Sequence, residues 1–280
     1  MRLSAAAVFF FASCSPQPQP KPELKPVPVA ESAPMKVTSK PSEKPTRQEL
    51  VAWRRDVSFA QLLEEAKRTN KPLMINLYAA GYEPCMEMDK HVYTRQDVAD
   101  VTSTFLAMKL DGELGEGAEV YAKYNVVGFP TILFLHPDGT ELDRIYDGVN
   151  AEDFNKTVKD YSQNKNTLAV LDAQVAAAGA NVELSLLHEV GYRHALRGDT
   201  AKAEEFLQRV IERDKDNAKG YATSSLFVLG TFLYLRSQKP NPQKALETLQ
   251  RIQREYPNGP EAHVVLHLIA EAYFSLKQLD

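Results

Sequence analysis

Leu73-Met74-Ile75-Asn76-Leu77-Tyr78-Ala79-Ala80-Gly81-Tyr82-Glu83-Pro84-Cys85 is the stretch on which the fold turns. Leu73 to Leu77 is an apolar run of strand length and reads as a buried strand. Pro84 suits a first helical turn, where its missing N–H would have had no partner. A helix therefore starts near Glu83, Cys85 falls inside its first turn, and Tyr82 sits at its exposed N-terminal edge. Downstream, Gly128-Phe129-Pro130-Thr131 makes a turn, and a second buried-strand run, Thr131 to Leu135, begins at once.

The flanking sequence supplies the rest of an α/β unit. Ser58 and Gln61 form a capping-box signature, and the helix Phe59 to Arg68 puts Phe59, Leu62, Leu63 and Ala66 on one face. Asn70-Lys71-Pro72 ends it. A helix near Arg95 to Thr104 leads to a strand, Phe105 to Leu110. Gly112-Glu113-Leu114-Gly115-Glu116-Gly117 has glycines but lacks the lysine of a phosphate loop, and reads as an acidic surface loop. A helix over Ala118 to Tyr124 precedes the Gly128-Phe129-Pro130 turn. Thr131 to His136, the Pro137-Asp138-Gly139 turn and Glu141 to Tyr146 form a hairpin, and Ala151 to Tyr161 closes the unit as a helix.

This order of elements, together with Tyr82-Glu83-Pro84-Cys85 and Val127-Gly128-Phe129-Pro130-Thr131, resembles the thioredoxin family over about 110 residues. Cys85-Met86-Glu87-Met88-Asp89-Lys90 and Val92 to Val98 are most similar to its periplasmic branch, such as the C-terminal domain of the transmembrane reductant carrier. The resemblance implies a cis Pro130 beside the thiol site, with adjoining backbone that pairs with an extended substrate. Tyr82, Phe129, Pro130 and Thr131 are thereby the candidate peptide-binding residues. It also exposes two departures. Dithiol exchange needs an attacking thiolate and a second thiol that resolves the mixed disulfide. Tyr82 stands where the attacking cysteine belongs, and a phenol offers no sulfur. Asn76 stands where the family keeps a buried carboxylate to move a proton at the resolving thiol. Cys85 corresponds to that resolving thiol. It reads either as a small buried hydrophobe or as a monothiol that traps a partner or senses an oxidant.

The N-terminus reads as an export signal. Met1-Arg2 is followed by a short apolar stretch, Leu3 to Ala12, and then Phe11-Ala12-Ser13-Cys14. The stretch is shorter than the roughly 20 residues that cross a bilayer. It resembles a bacterial lipobox, which implies lipidation at Cys14, and Ser15 is compatible with outer-membrane sorting; a plain secretory peptide is the simpler alternative. Prolines at 16, 18, 20, 22, 26, 28, 34, 41 and 45, interleaved with lysines, make residues 15–51 a tether. At about 3.1 Å per residue such a tether reaches on the order of 100 Å. The net charge, 33 − 37 = −4, gives no basis for a nucleic-acid partner.

After Asn181 the composition turns helical. Gly191, Gly198, Ala203, Leu207 and Val210 fall at the spacing of a tetratricopeptide repeat. Gly230, Ala245, Leu249, Ile252 and Pro257 fall similarly, with a three-residue insertion around Lys239-Pro240-Asn241-Pro242. Glu261 to Lys277 is a third first helix. So short an array is expected to dock onto the first domain or another subunit. His263 and His267 have the i, i+4 spacing of a metal pair but no third ligand close in sequence, and read as solvated or core-satisfied side chains.

The expected architecture is an α/β thioredoxin-like domain followed by an all-α tetratricopeptide-like repeat domain. Its boundaries are 1–14 signal, 15–51 tether, 52–162 thioredoxin-like, 163–180 connecting helix and 181–280 repeats. In layout it is similar to the cytosolic chaperedoxin holdases, from which export and the tether depart. The expected function is a membrane-tethered envelope protein that binds polypeptide clients or an envelope partner as holdase, adaptor or scaffold, without dithiol exchange. The alternative is a monothiol thiol–disulfide oxidoreductase acting through Cys85. No cofactor and no metal site are expected.

Overall fold

The computed structural model describes residues 49–277. The signal, Cys14 and nearly all of the tether lie outside the described residues.

A five-stranded sheet in the order β1-β3-β2-β4-β5 is built from Trp53–Arg54 (β1), Leu73–Tyr78 (β2), Leu106–Asp111 (β3), Thr131–Leu135 (β4) and Glu141–Tyr146 (β5). The central strand β2 runs parallel to β3, with Leu73 opposite Leu106, and antiparallel to β4, with Leu77 opposite Thr131. Five of its six residues are buried because both faces are covered, which is why all but Asn76 of the buried residues are apolar. Helices Phe59–Thr69 (α1) and Gly115–Lys123 (α4) contribute Leu62, Ala66 and Val120 to the core on the Ile75 side. Helices Glu83–His91 (α2) and Ala151–Ser162 (α5) contribute Met88, Phe154 and Val158 on the Met74 side, and Gln96–Thr102 (α3) contributes Val98. The capping box is present, with Ser58 accepting from the Gln61 N–H and Gln61 accepting from the Ser58 N–H.

Two local expectations are corrected. Residues before 52 belong to the sheet domain: the Leu50 N–H bonds Tyr93 O at 2.7 Å, and Val51 is buried. The strand β1 is too short to show a period in sequence. The acidic loop is shorter than expected, since Gly115 to Gly117 already form the first turn of α4. Gly117 is needed there because a β-carbon would lie 1.9 Å from Asp111 O.

Past Leu168–Ala178 (α6) the chain is helical: Leu184–Leu196 (α7), Thr200–Arg213 (α8), Tyr221–Val228 (α9), Pro242–Glu255 (α10) and Glu261–Lys277 (α11). A π-helical segment, Leu229–Leu235, extends α9 without a break. Antiparallel pairing of α7 with α8, and of α9 and its extension with α10, places Gly230 against Leu249, where a β-carbon would meet a methyl at 2.6 Å. His263 and His267 are exposed on α11. No described helix is long and apolar enough to cross a membrane.

The helical part docks on the β5 side of the sheet. Asp143 has no exposed side-chain surface and accepts from Arg197 at 2.7 Å, from Arg193 at 3.1 Å and from the Leu168 N–H at 2.7 Å. Its neighbour Arg144, also buried, donates to Tyr124 O at 2.7 Å and to Leu196 O at 2.8 Å, and pairs with Glu141. Every charge buried here has a partner, which is the condition under which burying it is tolerable. Apolar contact extends the joint, since Val127 packs in the same core as Leu196 and Phe232.

Candidate functional site

Tyr82 is the N-cap of α2, in extended backbone, and its carbonyl accepts from the Cys85 and Met86 N–H groups at 3.1 Å. Its side chain is 49% exposed, so the position that borders a helix N-terminus and faces solvent carries a phenol. Cys85, one turn in, is free and only 4% exposed. Burial pushes its thiol pKa up, a backbone N–H from Ala79 offsets part of this, and the charges of Asp89 and Asp147 add to the rise. This thiol is therefore held protonated, the reverse of what an attacking sulfur requires.

Sequence reasoning missed a group of residues behind the thiol. Asp89 follows Cys85 by one helical turn and pairs with Lys109 on β3 at 2.5 Å; Lys109 also reaches Glu49 at 2.8 Å. The Lys109 ammonium lies 5.2 Å from the Tyr78 ring and 5.7 Å from the Tyr93 ring. Burial raises the Asp89 pKa, with Lys109 opposing. A carboxylate thus remains near the thiol, supplied by α2 instead of the central strand. The i, i+4 spacing of Cys85 and Asp89 was the available signal. Asn76 is buried, and its side-chain oxygen has no partner among the described residues.

The Phe129–Pro130 peptide is cis. The Phe129 ring rests on Tyr121, with centroids 5.1 Å apart, and against Gly112, where a β-carbon would collide at 2.3 Å. Pro130 is buried and its carbonyl accepts from the Asp147 N–H at 2.9 Å. Thr131 is buried too, its hydroxyl donating to Gly128 O at 2.8 Å. The main-chain N–H and C=O of Phe129 have no hydrogen bond among the described residues.

These elements meet at a cleft of about 530 Å³ lined by Tyr82, Glu113, Gly128, Phe129, Tyr146 and, from the helical part, Arg236, with Ala79 to Gly81 as its floor. Tyr82 and Phe129 come together there as expected from sequence. Pro130 and Thr131, also expected to bind peptide, do not line it: both are buried where the turn joins β4. Tyr146, Glu113 and Arg236 were not foreseen. Tyr146 lies so close to Gly128 that a β-carbon there would sit 2.9 Å from its hydroxyl, and its other side packs on Phe232 at 5.3 Å. Burial pushes the Tyr146 pKa up to about 12, with Arg236 opposing. Gln238 donates to Val126 O at 3.1 Å and fixes the helical wall to the turn. Among the described residues no group of histidine, cysteine and carboxylate side chains is arranged to hold a metal.

The sheet order, the cis proline turn and the helix bearing Cys85 define a thioredoxin-like protein. The family profile of the thioredoxin-like domain matches residues 59–162, and that of the tetratricopeptide repeat matches residues 225–259. Among curated proteins, the thiol:disulfide interchange protein DsbD of Colwellia psychrerythraea is 30% identical over 99 residues, 33% of this chain and 16% of that protein. The corresponding protein of Actinobacillus pleuropneumoniae is 32% identical over 95 residues, again 33% and 16%. The chain thus spans about a sixth of the length of the curated relatives it matches. Among solved structures, a provisionally assigned disulphide-isomerase of Bacteroides thetaiotaomicron is similar at 30% identity and a TM-score of 0.38, covering 43% of this chain and 99% of that one. The C-terminal domain of Neisseria meningitidis DsbD, in its oxidised form, is similar at 21% identity and a TM-score of 0.32, covering 38% and 91%. Residues 59–162 are thus a thioredoxin-like domain, similar to part of the DsbD proteins, and residues 225–259 a tetratricopeptide repeat.

Proposed function

We propose that the protein is a cell-envelope polypeptide-binding protein, a holdase or adaptor, that works without dithiol exchange. One observation carries the reading: the solvent-facing corner of α2 bears Tyr82, and the remaining sulfur, Cys85, is buried. What persists is a cleft with aromatic walls and a main-chain N–H and C=O at Phe129 left open for an extended chain. A tetratricopeptide repeat favours a role in protein–protein contact, and its helices complete the cleft. The envelope location, facing the periplasm and held by lipid at Cys14, rests on the signal-like N-terminus and on relatedness to DsbD.

The test is suppression of aggregation of a chemically unfolded reporter polypeptide by the purified chain. Cys85→Ser is expected to protect as well as the parent, and Tyr82→Ala with Phe129→Ala to protect less. Insulin reduction at a rate near that of a dithiol thioredoxin, or loss of protection in Cys85→Ser, would overturn the reading in favour of a monothiol oxidoreductase. Release of the protein from the membrane fraction by Cys14→Ser tests the anchor.

A further inference from the structure

The cleft is not electrically neutral. Glu113 lines it directly. Glu83 follows Tyr82 as the first residue of α2, and Asp147 follows Tyr146, its N–H bonded to Pro130 O. All three carboxylates are exposed, and among the described residues none has an ion-pair partner within 4.0 Å. Among the described residues the one cation in the lining, Arg236, is already paired with Glu271 at 3.3 Å. The uncompensated charge around the cleft is therefore negative and comes from three separate segments: the N-terminus of α2, the β3–α4 loop and the β5–α5 loop.

Resting on the reading of this cleft as a polypeptide site, we infer that it selects extended segments in which an apolar or aromatic residue is flanked by lysine or arginine. The Phe129 main chain pairs with the segment. The apolar side chain lies on the Tyr82, Phe129 and Tyr146 surfaces. The flanking cations meet Glu83 and Asp147 at one end and Glu113 at the other. Acidic segments are rejected, because their carboxylates approach three others with only a compensated arginine to receive them. Selection of this kind is a difference between partners, produced by repulsion as much as by attraction. It acts at exposed charges and so is screened within a Debye length of about 8 Å at physiological salt.

The experiment compares three fluorescein-labelled peptides with one Tyr-Leu-Tyr centre, flanked by lysines, by serines or by glutamates, binding to the full chain by anisotropy. The lysine-flanked peptide is expected to bind about tenfold tighter than the glutamate-flanked one at low salt, a ratio falling toward one at 1 M salt. The triple variant Glu83→Gln, Glu113→Gln, Asp147→Asn should abolish the preference, the lysine- and glutamate-flanked peptides then binding alike. Asparagine tolerates the positive φ of 71° at position 147, so the loop is preserved. Equal affinity for lysine- and glutamate-flanked peptides, with all three lost in Phe129→Ala, overturns the charge selection and leaves the polypeptide site standing. No binding of any peptide, or binding indifferent to Phe129→Ala, overturns the polypeptide site itself. A preference for the glutamate-flanked peptide would mean that Arg236 dominates, and also refutes the inference.

Discussion

Leu207 occupies the space that a β-carbon on Gly191 would take: such an atom would lie 2.7 Å from Leu207 Cγ. Gly230 stands in the same relation to Leu249, at 2.7 Å from its Cγ. The separations differ by three residues, the length of the insertion expected near Pro240 from sequence. Glycine inside a helix ordinarily costs about 1 kcal/mol relative to alanine. Here the sign reverses, because the methyl has no room. Gly191→Ala and Gly230→Ala are each expected to lower stability by about 1–3 kcal/mol, the usual effect of overpacking, read as a shift of the urea midpoint. A midpoint that stays or rises would mean that the helices part freely at these points.

The Asp143 carboxylate joins the two halves of the chain. Replacing it with alanine leaves Arg193 and Arg197 without their shared partner and the Leu168 N–H without its acceptor. Breaking a buried pair from one side costs about 3–5 kcal/mol. The single tryptophan, Trp53, lies in the sheet domain, whereas helix ellipticity comes largely from the repeats. In the parent chain, fluorescence and far-UV ellipticity are expected to fall in one denaturant transition. In Asp143→Ala the two should separate, the test for loss of two-state coupling. Coincident transitions in the variant would show that the apolar contacts at Val127 and Phe232 hold the halves together unaided.

The sheet was legible because β2 and β4 are mostly apolar and its turns carry Gly, Pro and Asn where the backbone requires them. Tyr82, Phe129 and Cys85 were legible as neighbours only through the family likeness, since no spacing rule joins residue 82 to residue 129. What stayed hidden was whatever depends on a second module. Asp143 and Arg144 lie in a strand, where adjacent charges give no sign that both are buried. Arg236 lies in a stretch with no functional pattern, yet it completes the cleft. The π-helical turn at Leu229–Leu235 follows an all-apolar segment whose period gives no hint of the extra residue. Asp89 was readable in principle, because i and i+4 residues share a helix face and Asp89 follows Cys85 by four.

Burial sets the chemistry of Cys85, and pH should reveal it. Its pKa lies above that of an ordinary thiol, so alkylation by iodoacetamide in the folded chain is expected to be at least about tenfold slower than for the same residue in urea at pH 8. The rate should still be climbing past pH 9, where a free thiol approaches its plateau. The linkage has the same sign. A raised folded pKa means that the native state holds its proton more tightly, so the contribution is full below the unfolded pKa and is lost as pH rises through the folded one. Rapid alkylation at pH 7 would instead mark an accessible, acidic thiol.

His188 gives the opposite dependence. Burial between α7 and α9, with Nε2 3.0 Å from the Ser224 hydroxyl oxygen, lowers its pKa, and Glu189 opposes only in part. The unfolded chain therefore takes up a proton before the folded chain does. Stability from this residue is complete above the unfolded value of about 6.5 and falls as pH drops through the folded value. His188→Gln should flatten the slope of unfolding free energy against pH between about 7 and 5.5, measured by urea titration at each pH. An unchanged slope would mean that His188 does not set the acid sensitivity in this range; Asp172 acts only below it. Its pKa is lowered: hydrogen bonds from His194 and Lys202 outweigh its burial, so its stabilisation is lost only at lower pH.

Restoring the missing sulfur is the most direct trial of why exchange is absent. Tyr82 has an ordinary extended backbone, φ −76° and ψ 124°, that a cysteine adopts without strain, and it is the N-cap of α2. Tyr82→Cys therefore places a thiol where a helix terminus lowers its pKa, three residues before a buried thiol able to resolve a mixed disulfide. The variant is expected to form the 82–85 disulfide on oxidation and to reduce insulin with dithiothreitol as electron source, where the parent does not exceed background. Adding Asn76→Asp should raise that rate by about tenfold, the low end for a positioned proton-transfer group because Asp89 already lies near Cys85. The order matters: Asn76→Asp without the new cysteine should leave insulin untouched. If the 82–85 disulfide forms and insulin is still not reduced, the obstacle is access to the cleft, and removing the Arg236 side chain that narrows it becomes the variant that restores turnover.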